Sequence, residues 1–196
     1  MTSFALLILR SAVGALLAGH GAQKLFGWSG GGGPAGTAKL MRMLGLRPEE
    51  QWAFVAGASE FFGGALTLLG LLNPLGPILG LGAMATATLT AHKGKPIWST
   101  KGGAELPVTN MAVLVALLLA GPGKLSLDAI FGTKVPWWFA TLALASVGAG
   151  VALATGPEPL ALPAPETRKM SEAPRAAPTL KAGSDNGKAE EVEATT

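Results

Sequence analysis

The sequence predicts an all-α fold: an integral membrane helical bundle. Three observations predict it. Hydrophobic residues make up 49% of the 196 residues and charged residues only 14%, against roughly 25% charged in an average soluble protein. The last forty residues hold 12 of the 27 charged side chains, so the first 156 are poorer still in charge. Five apolar stretches of near-spanning length follow one another within that first part.

A spanning helix needs about 20 mainly apolar residues, because the hydrocarbon layer is roughly 30 Å thick and a helix rises 1.5 Å per residue. Residues 4–26 meet this length, and so do 52–72. Residues 75–91 are fewer, and Glu105–Ala120 shorter still, with Glu105 and Asn110 near its start. Both can span if their polar ends sit at the interface or inside a bundle. Trp137–Thr155 is the fifth candidate. It opens on Pro136, suited to a first helical turn, and on Trp137-Trp138, suited to the headgroup belt.

The connections fit a bundle. Asn73-Pro74 joins two spans almost without a loop, which makes them antiparallel neighbours. The run SGGGG at 29–33 reads as a flexible loop. The mixed stretch TAKLMRMLGL at 37–46 reads either as a short helix in the interface or as an ordinary turn. Ser126 is a candidate N-cap for another short helix. No internal repeat stands out.

Lys and Arg outside the spans set the orientation. Lys39, Arg42 and Arg47 lie in the first long connection, Lys93, Lys95 and Lys101 in the next, and five more in the tail. Five spans put all of these on one side. The other side has only Lys124 and Lys134. The N-terminus is therefore expected outside and the tail in the cytoplasm, with the protein in the cytoplasmic membrane. The first span reads as a retained anchor, since no positive region precedes it and its apolar run exceeds a signal core. The expected organisation is a four-helix membrane core over 1–132, a fifth transmembrane helix within 133–156, and a disordered Pro/Ala-rich charged tail over 157–196.

Several chemistries are excluded. With no Cys there is no disulfide, thiol nucleophile, iron–sulfur cluster or thiolate metal site in this chain. The pI near 9.4 comes from charges spread over loops and tail, which is not a nucleic-acid footprint. SGGGGP lacks the Lys-Ser/Thr ending of a phosphate loop. The two His and the carboxylates lack the spacing of a recognised metal motif, so no metal site is expected. No haem or flavin pattern occurs.

The polar residues inside the spans carry the remaining information. An ionisable group in the bilayer centre costs roughly 2.5–3.5 kcal/mol on insertion scales, so each needs a partner or a wet cavity. Arg10, Gly14, Leu17, Gly21 and Lys24 recur at steps of four and three and form one stripe, with His20 at its edge. Ala53, Gly57, Glu60, Gly64 and Thr67 form a second stripe of small residues around one acid. Small residues let helix backbones approach closely in lipid. The two stripes are expected to meet, with Glu60 against Lys24 or Arg10. By depth, His20, Lys24, Glu60, His92, Glu105 and Asn110 all fall in the half of the membrane nearest the basic loops, and Arg10 can extend inward. These seven residues are the candidate polar site. The acid–base pair can equally be helix glue, and both imidazoles can be ordinary interfacial residues. The Trp residues read as interface anchors.

These residues resemble the DoxX family of small membrane proteins. Arg10 followed by HGAQKLFG at 20–27 is similar to its first-helix signature, and EFFGG at 60–64 to its second-helix block. His92, the step Gly103-Ala104-Glu105 and GPGKLSLD at 121–128 are similar to its later blocks. The likeness covers roughly 4–132. It implies a four-helix membrane bundle whose pattern includes Arg10, His20, Lys24, Glu60, His92, Glu105 and Asp128. Family members are linked to quinone-coupled thiosulfate oxidation and to membrane oxidoreductase complexes in redox stress. The chain departs from the pattern in Ala104, where an aromatic is common, in its fifth span and in its charged tail.

The expected function is an accessory or quinone-interacting subunit of a membrane redox system, with a quinone as the candidate cofactor and a redox protein as the candidate partner. Electrons would come from outside the chain, which is not expected to be an autonomous enzyme. The alternative is a non-enzymatic membrane scaffold or an oligomeric small-molecule transporter.

Overall fold

The computed structural model describes residues 2–156. The expectation of a disordered tail at 157–196 concerns residues outside that range. Seven α-helices and no strand occur among the described residues: α1 (Thr2–Phe26), α2 (Gly33–Met43), α3 (Glu49–Leu69), α4 (Leu75–Leu89), α5 (Glu105–Ala120), α6 (Leu127–Phe131) and α7 (Trp137–Thr155). The helical membrane bundle follows the apolar stretches closely. Three helices, α1, α3 and α7, are long and apolar enough to cross a membrane, and α4 and α5 are shorter apolar helices.

Local chemistry sets the helix ends. Glu49 and Glu50 occupy the first turn of α3, where carboxylates favour the positive end of the helix dipole. Gly70 ends α3 in the left-handed conformation (φ 61°), with the Leu71 N–H donating back to Leu66 O. The glycine run behaves differently from the loop expected at 29–33. Trp28–Gly30 forms one 3-10 turn, and Gly33 already opens α2 with Pro34 behind it. The Thr37 hydroxyl then donates to Gly33 O at 2.8 Å, tying off the first turn. The stretch at 37–46 is therefore mostly helix.

The α1–α3 pair makes the most extensive helix contact among the described residues. A Cβ on Gly14 would meet the backbone of Gly64 and Leu68, and one on Gly21 would run into the Phe61 backbone. A Cβ on Gly64 would strike the backbone of Gly14 and Ala18. The two stripes of small residues face each other, as their spacing requires. α4 packs on α3, while α5 and α7 both pack on α4.

Val13, Leu17, Met84 and Leu114 form one apolar core between α1, α4 and α5. Ala38, Met41, Leu46, Trp52, Ala53 and Ala154 form another that ties α2, α3 and the C-terminal end of α7 together. Outward, the surface is greasy: Phe4, Ile8, Leu16, Phe54, Phe62 and Leu119 are all more than half exposed. In water such a surface would aggregate. In lipid it is the natural exterior.

Candidate functional site

The bundle has two polar ends with different chemistry. At the first end, Arg10 on α1 is 4% exposed. Its Nη1 donates to Leu68 O at 3.0 Å, and its Nη2 donates to Leu125 O. These carbonyls belong to the last turn of α3 and to the segment before α6, so one guanidinium fork closes two chain ends. Asp128 completes the knot. Its two oxygens accept from the Leu72 and Asn73 N–H groups, each at 2.8 Å. Ser126 caps α6 by accepting from Ala129 N–H. The block GPGKLSLD thus latches the α3–α4 turn.

At the other end stands Glu60, also 4% exposed. Its Oε1 pairs directly with the Lys24 ammonium from α1. Its Oε2 is buried and has no hydrogen-bond partner. Of the two partners expected for Glu60, the structure selects Lys24. Arg10 lies fourteen residues away on the same helix, about 21 Å along its axis.

Lys24 and Glu60 line a cavity of about 290 Å³ whose other walls come from α2, α3, α4 and α7. The walls are mostly Leu, Val, Ala and Gly. Trp52, Ala56 and Glu60 recur at steps of four, so all three fall on the cavity face of α3. Trp52 is 7% exposed, and its indole Nε1–H is buried without an acceptor. Trp52 and Glu60, both lining residues, thus each keep one buried polar atom without a partner, about 12 Å apart along α3. A buried polar atom without a partner costs roughly 1–3 kcal/mol, so both side chains are candidates to pair with a bound molecule. The reading of the tryptophans as interface anchors needs correction here. Trp28, Trp98, Trp137 and Trp138 are exposed, but Trp52 is a wall of the cavity.

The remaining candidates lie elsewhere. His20 is exposed, with Nδ1 at 3.2 Å from Gln23 Oε1. His92 is held by the α4–α5 connection, where Nδ1–H donates to Gly102 O at 2.7 Å. Glu105 Oε2 accepts from Ser99 N–H at 2.9 Å and braces the same connection. Asn110 makes a long contact from Nδ2 to Met84 Sδ at 3.8 Å. Of the seven, only Lys24 and Glu60 line the cavity. Residues that sequence reasoning missed are Trp52 and, on α7, Ser146, Val147, Gly150 and Val151. The Trp52 step of eight to Glu60 was a usable signal. The Ala- and Gly-rich α7 offered none. Among the described residues, no group of three His or acidic side chains is arranged to hold a metal.

The model of the DoxX family matches residues 5–93. Over these residues the chain carries a DoxX-family domain. The match takes in α1 to α4, and so both Lys24 and Glu60. It is narrower than the likeness over 4–132 and leaves α5, α6 and α7 outside. No curated protein and no solved structure matches the chain.

Proposed function

We propose that this DoxX-family membrane protein binds a quinone-like lipophilic molecule in the Glu60 cavity and serves as an accessory subunit of a membrane redox system. The observation that carries this reading is that Glu60 and Trp52, each with a buried polar atom that has no partner, line one mostly apolar cavity. A quinone has a flat apolar body and carbonyl oxygens that take up protons when it is reduced. The cavity, near 300 Å³, lies at the small end of ligand pockets, which suits a ring rather than a large ligand.

Each residue then has a task. Trp52 Nε1–H donates to a carbonyl and fixes the ring. Glu60 stands where a proton can be given or taken. Lys24 holds the Glu60 carboxylate in place and offsets its charge; its side chain is 27% exposed and reaches toward the polar edge. The apolar walls exclude water. The electrons come from a partner, in keeping with a sequence that has no haem, flavin or iron–sulfur pattern.

The protein is proposed to span the cytoplasmic membrane five times, with its N-terminus outside. This is supported by the meeting of Lys24, Trp52, Thr90 and Val151 around one cavity, which puts the C-terminal ends of α1, α4 and α7 and the start of α3 at the basic end. The scaffold alternative rests on the Lys24–Glu60 pair itself, which also locks α1 to α3. Glu60→Gln separates the two. It keeps a hydrogen-bonding side chain and the packing but removes the proton site. Impaired respiration under oxidative or sulfur stress, with the protein still present at normal level, supports the redox reading. Unchanged respiration favours the scaffold.

A further inference from the structure

A second recess, of about 490 Å³, opens at the basic end and is separate from the Glu60 cavity. Thr86, Ala87, Thr90 and Ala91 face the Glu60 cavity, whereas Thr88, Leu89 and His92 face the recess. At 100° per residue these are opposite sides of the last turn of α4 and the turn that continues it. Its lining divides by chemistry into a basic set, His92, Lys93 and Lys95 (the rim), and an apolar set, Leu89, Ile97 and Val108 (the floor).

The rim is ordered by its own contacts. Lys95 Nζ donates to Ala91 O at 2.8 Å, which fixes the ammonium and leaves it further protons to donate. His92 spends Nδ1–H on Gly102 O, which sets the ring. The acid of this connection, Glu105, does not line the recess; its Oε2 accepts from Ser99 N–H. The local charge is therefore positive. The floor continues into an apolar surface in which Ile97 is 47% and Trp98 60% exposed. Basic and apolar side chains lining one recess, with an exposed Trp in the same connection, are the profile of a headgroup-depth site.

We propose that this recess binds an anionic phospholipid, with Lys93 and Lys95 on its phosphate and Leu89, Ile97 and Val108 against the first methylenes of an acyl chain. The apolar floor decides for a lipid over free phosphate, which would gain nothing from it. The site stands independently of the reading of the Glu60 cavity.

The test uses the full chain in detergent, titrated with dioleoyl phosphatidylglycerol and, separately, with dioleoyl phosphatidylcholine, and read by native mass spectrometry. Phosphatidylglycerol is expected to bind more tightly. The double variant Lys93→Gln/Lys95→Gln is expected to weaken it by roughly thirtyfold, since each basic residue near an anionic surface contributes about 1 kcal/mol. The control Lys124→Gln/Lys134→Gln removes the same charge at the opposite end and is expected to leave binding unchanged. Equal binding of the two lipids overturns the proposal, as does an equal loss in both double variants. Displacement of the lipid by an equal concentration of inorganic phosphate also overturns it, because the floor would then contribute nothing.

Discussion

Glu60 gives one carboxylate oxygen to the Lys24 ammonium and keeps the other buried and unpartnered. The two residues are unequally placed. The Glu60 side chain is 5% exposed and that of Lys24 27%. Lys24 without Glu60 can swing its charge toward water, but Glu60 without Lys24 cannot. Lys24→Met is therefore expected to destabilise the purified protein by about 3 kcal/mol, the range for a stranded buried charge. Glu60→Gln is expected to cost about 1 kcal/mol or less. Thermal unfolding in detergent checks this order. The reverse order would mean that Glu60 reaches water.

The α1–α3 contact makes a contrast between two glycines on one helix. Gly21→Ala pushes a methyl into the Phe61 backbone, whereas Gly19 has nothing within 4 Å of its added Cβ. Gly21→Ala is expected to destabilise by about 1–3 kcal/mol through overpacking. Gly19→Ala is expected to stabilise by about 0.5–1 kcal/mol through lost chain entropy. Melting temperatures that move in the same direction would show that the two helices do not touch there.

Arg10 and Asp128 work at the far end from the cavity. Arg10→Lys loses the fork that reaches both Leu68 O and Leu125 O. A loss of roughly 1–3 kcal/mol is expected, as for buried carbonyls left without a donor. Asp128→Asn is expected to be similarly costly, because an amide can face only one of the two N–H groups with an oxygen. Neither change should alter the affinity of the remaining folded protein for a short-chain quinone. A selective loss of quinone binding in Arg10→Lys would move the site to the wrong end of the bundle.

Trp52→Phe keeps an aromatic wall and removes only the Nε1–H. Affinity for a short-chain quinone is expected to fall about fivefold, the worth of one net hydrogen bond near 1 kcal/mol. Equilibrium binding to the detergent-purified variant reads this directly. An unchanged affinity would take Trp52 out of the site.

Much of the bundle was legible because lipid simplifies the code. A helix must be long and apolar, and α1, α3 and α7 are, so their positions follow from composition alone. The glycines on α1 and α3 were legible because their steps of three and four match the helical period. The single polar cluster was not. Depth along a helix puts His92, Glu105 and Asn110 at the right level but says nothing about which way each one faces. Arg10 was misplaced for a related reason. Its partners are two backbone carbonyls, and a carbonyl has no identity in a sequence. The wall supplied by α7 was hidden because Ala, Gly and Ser repeat there without a period.

The most direct measurement is photocrosslinking of the purified full chain with a photoreactive quinone, followed by peptide mapping. Labelling is expected on α3 between Trp52 and Glu60 and on the facing part of α4 and α7, suppressed by excess unlabelled quinone and reduced in Trp52→Phe. Labelling confined to the outer apolar faces, at residues such as Phe4, Phe54 or Leu119, and insensitive to competitor, would contradict a binding site at Glu60.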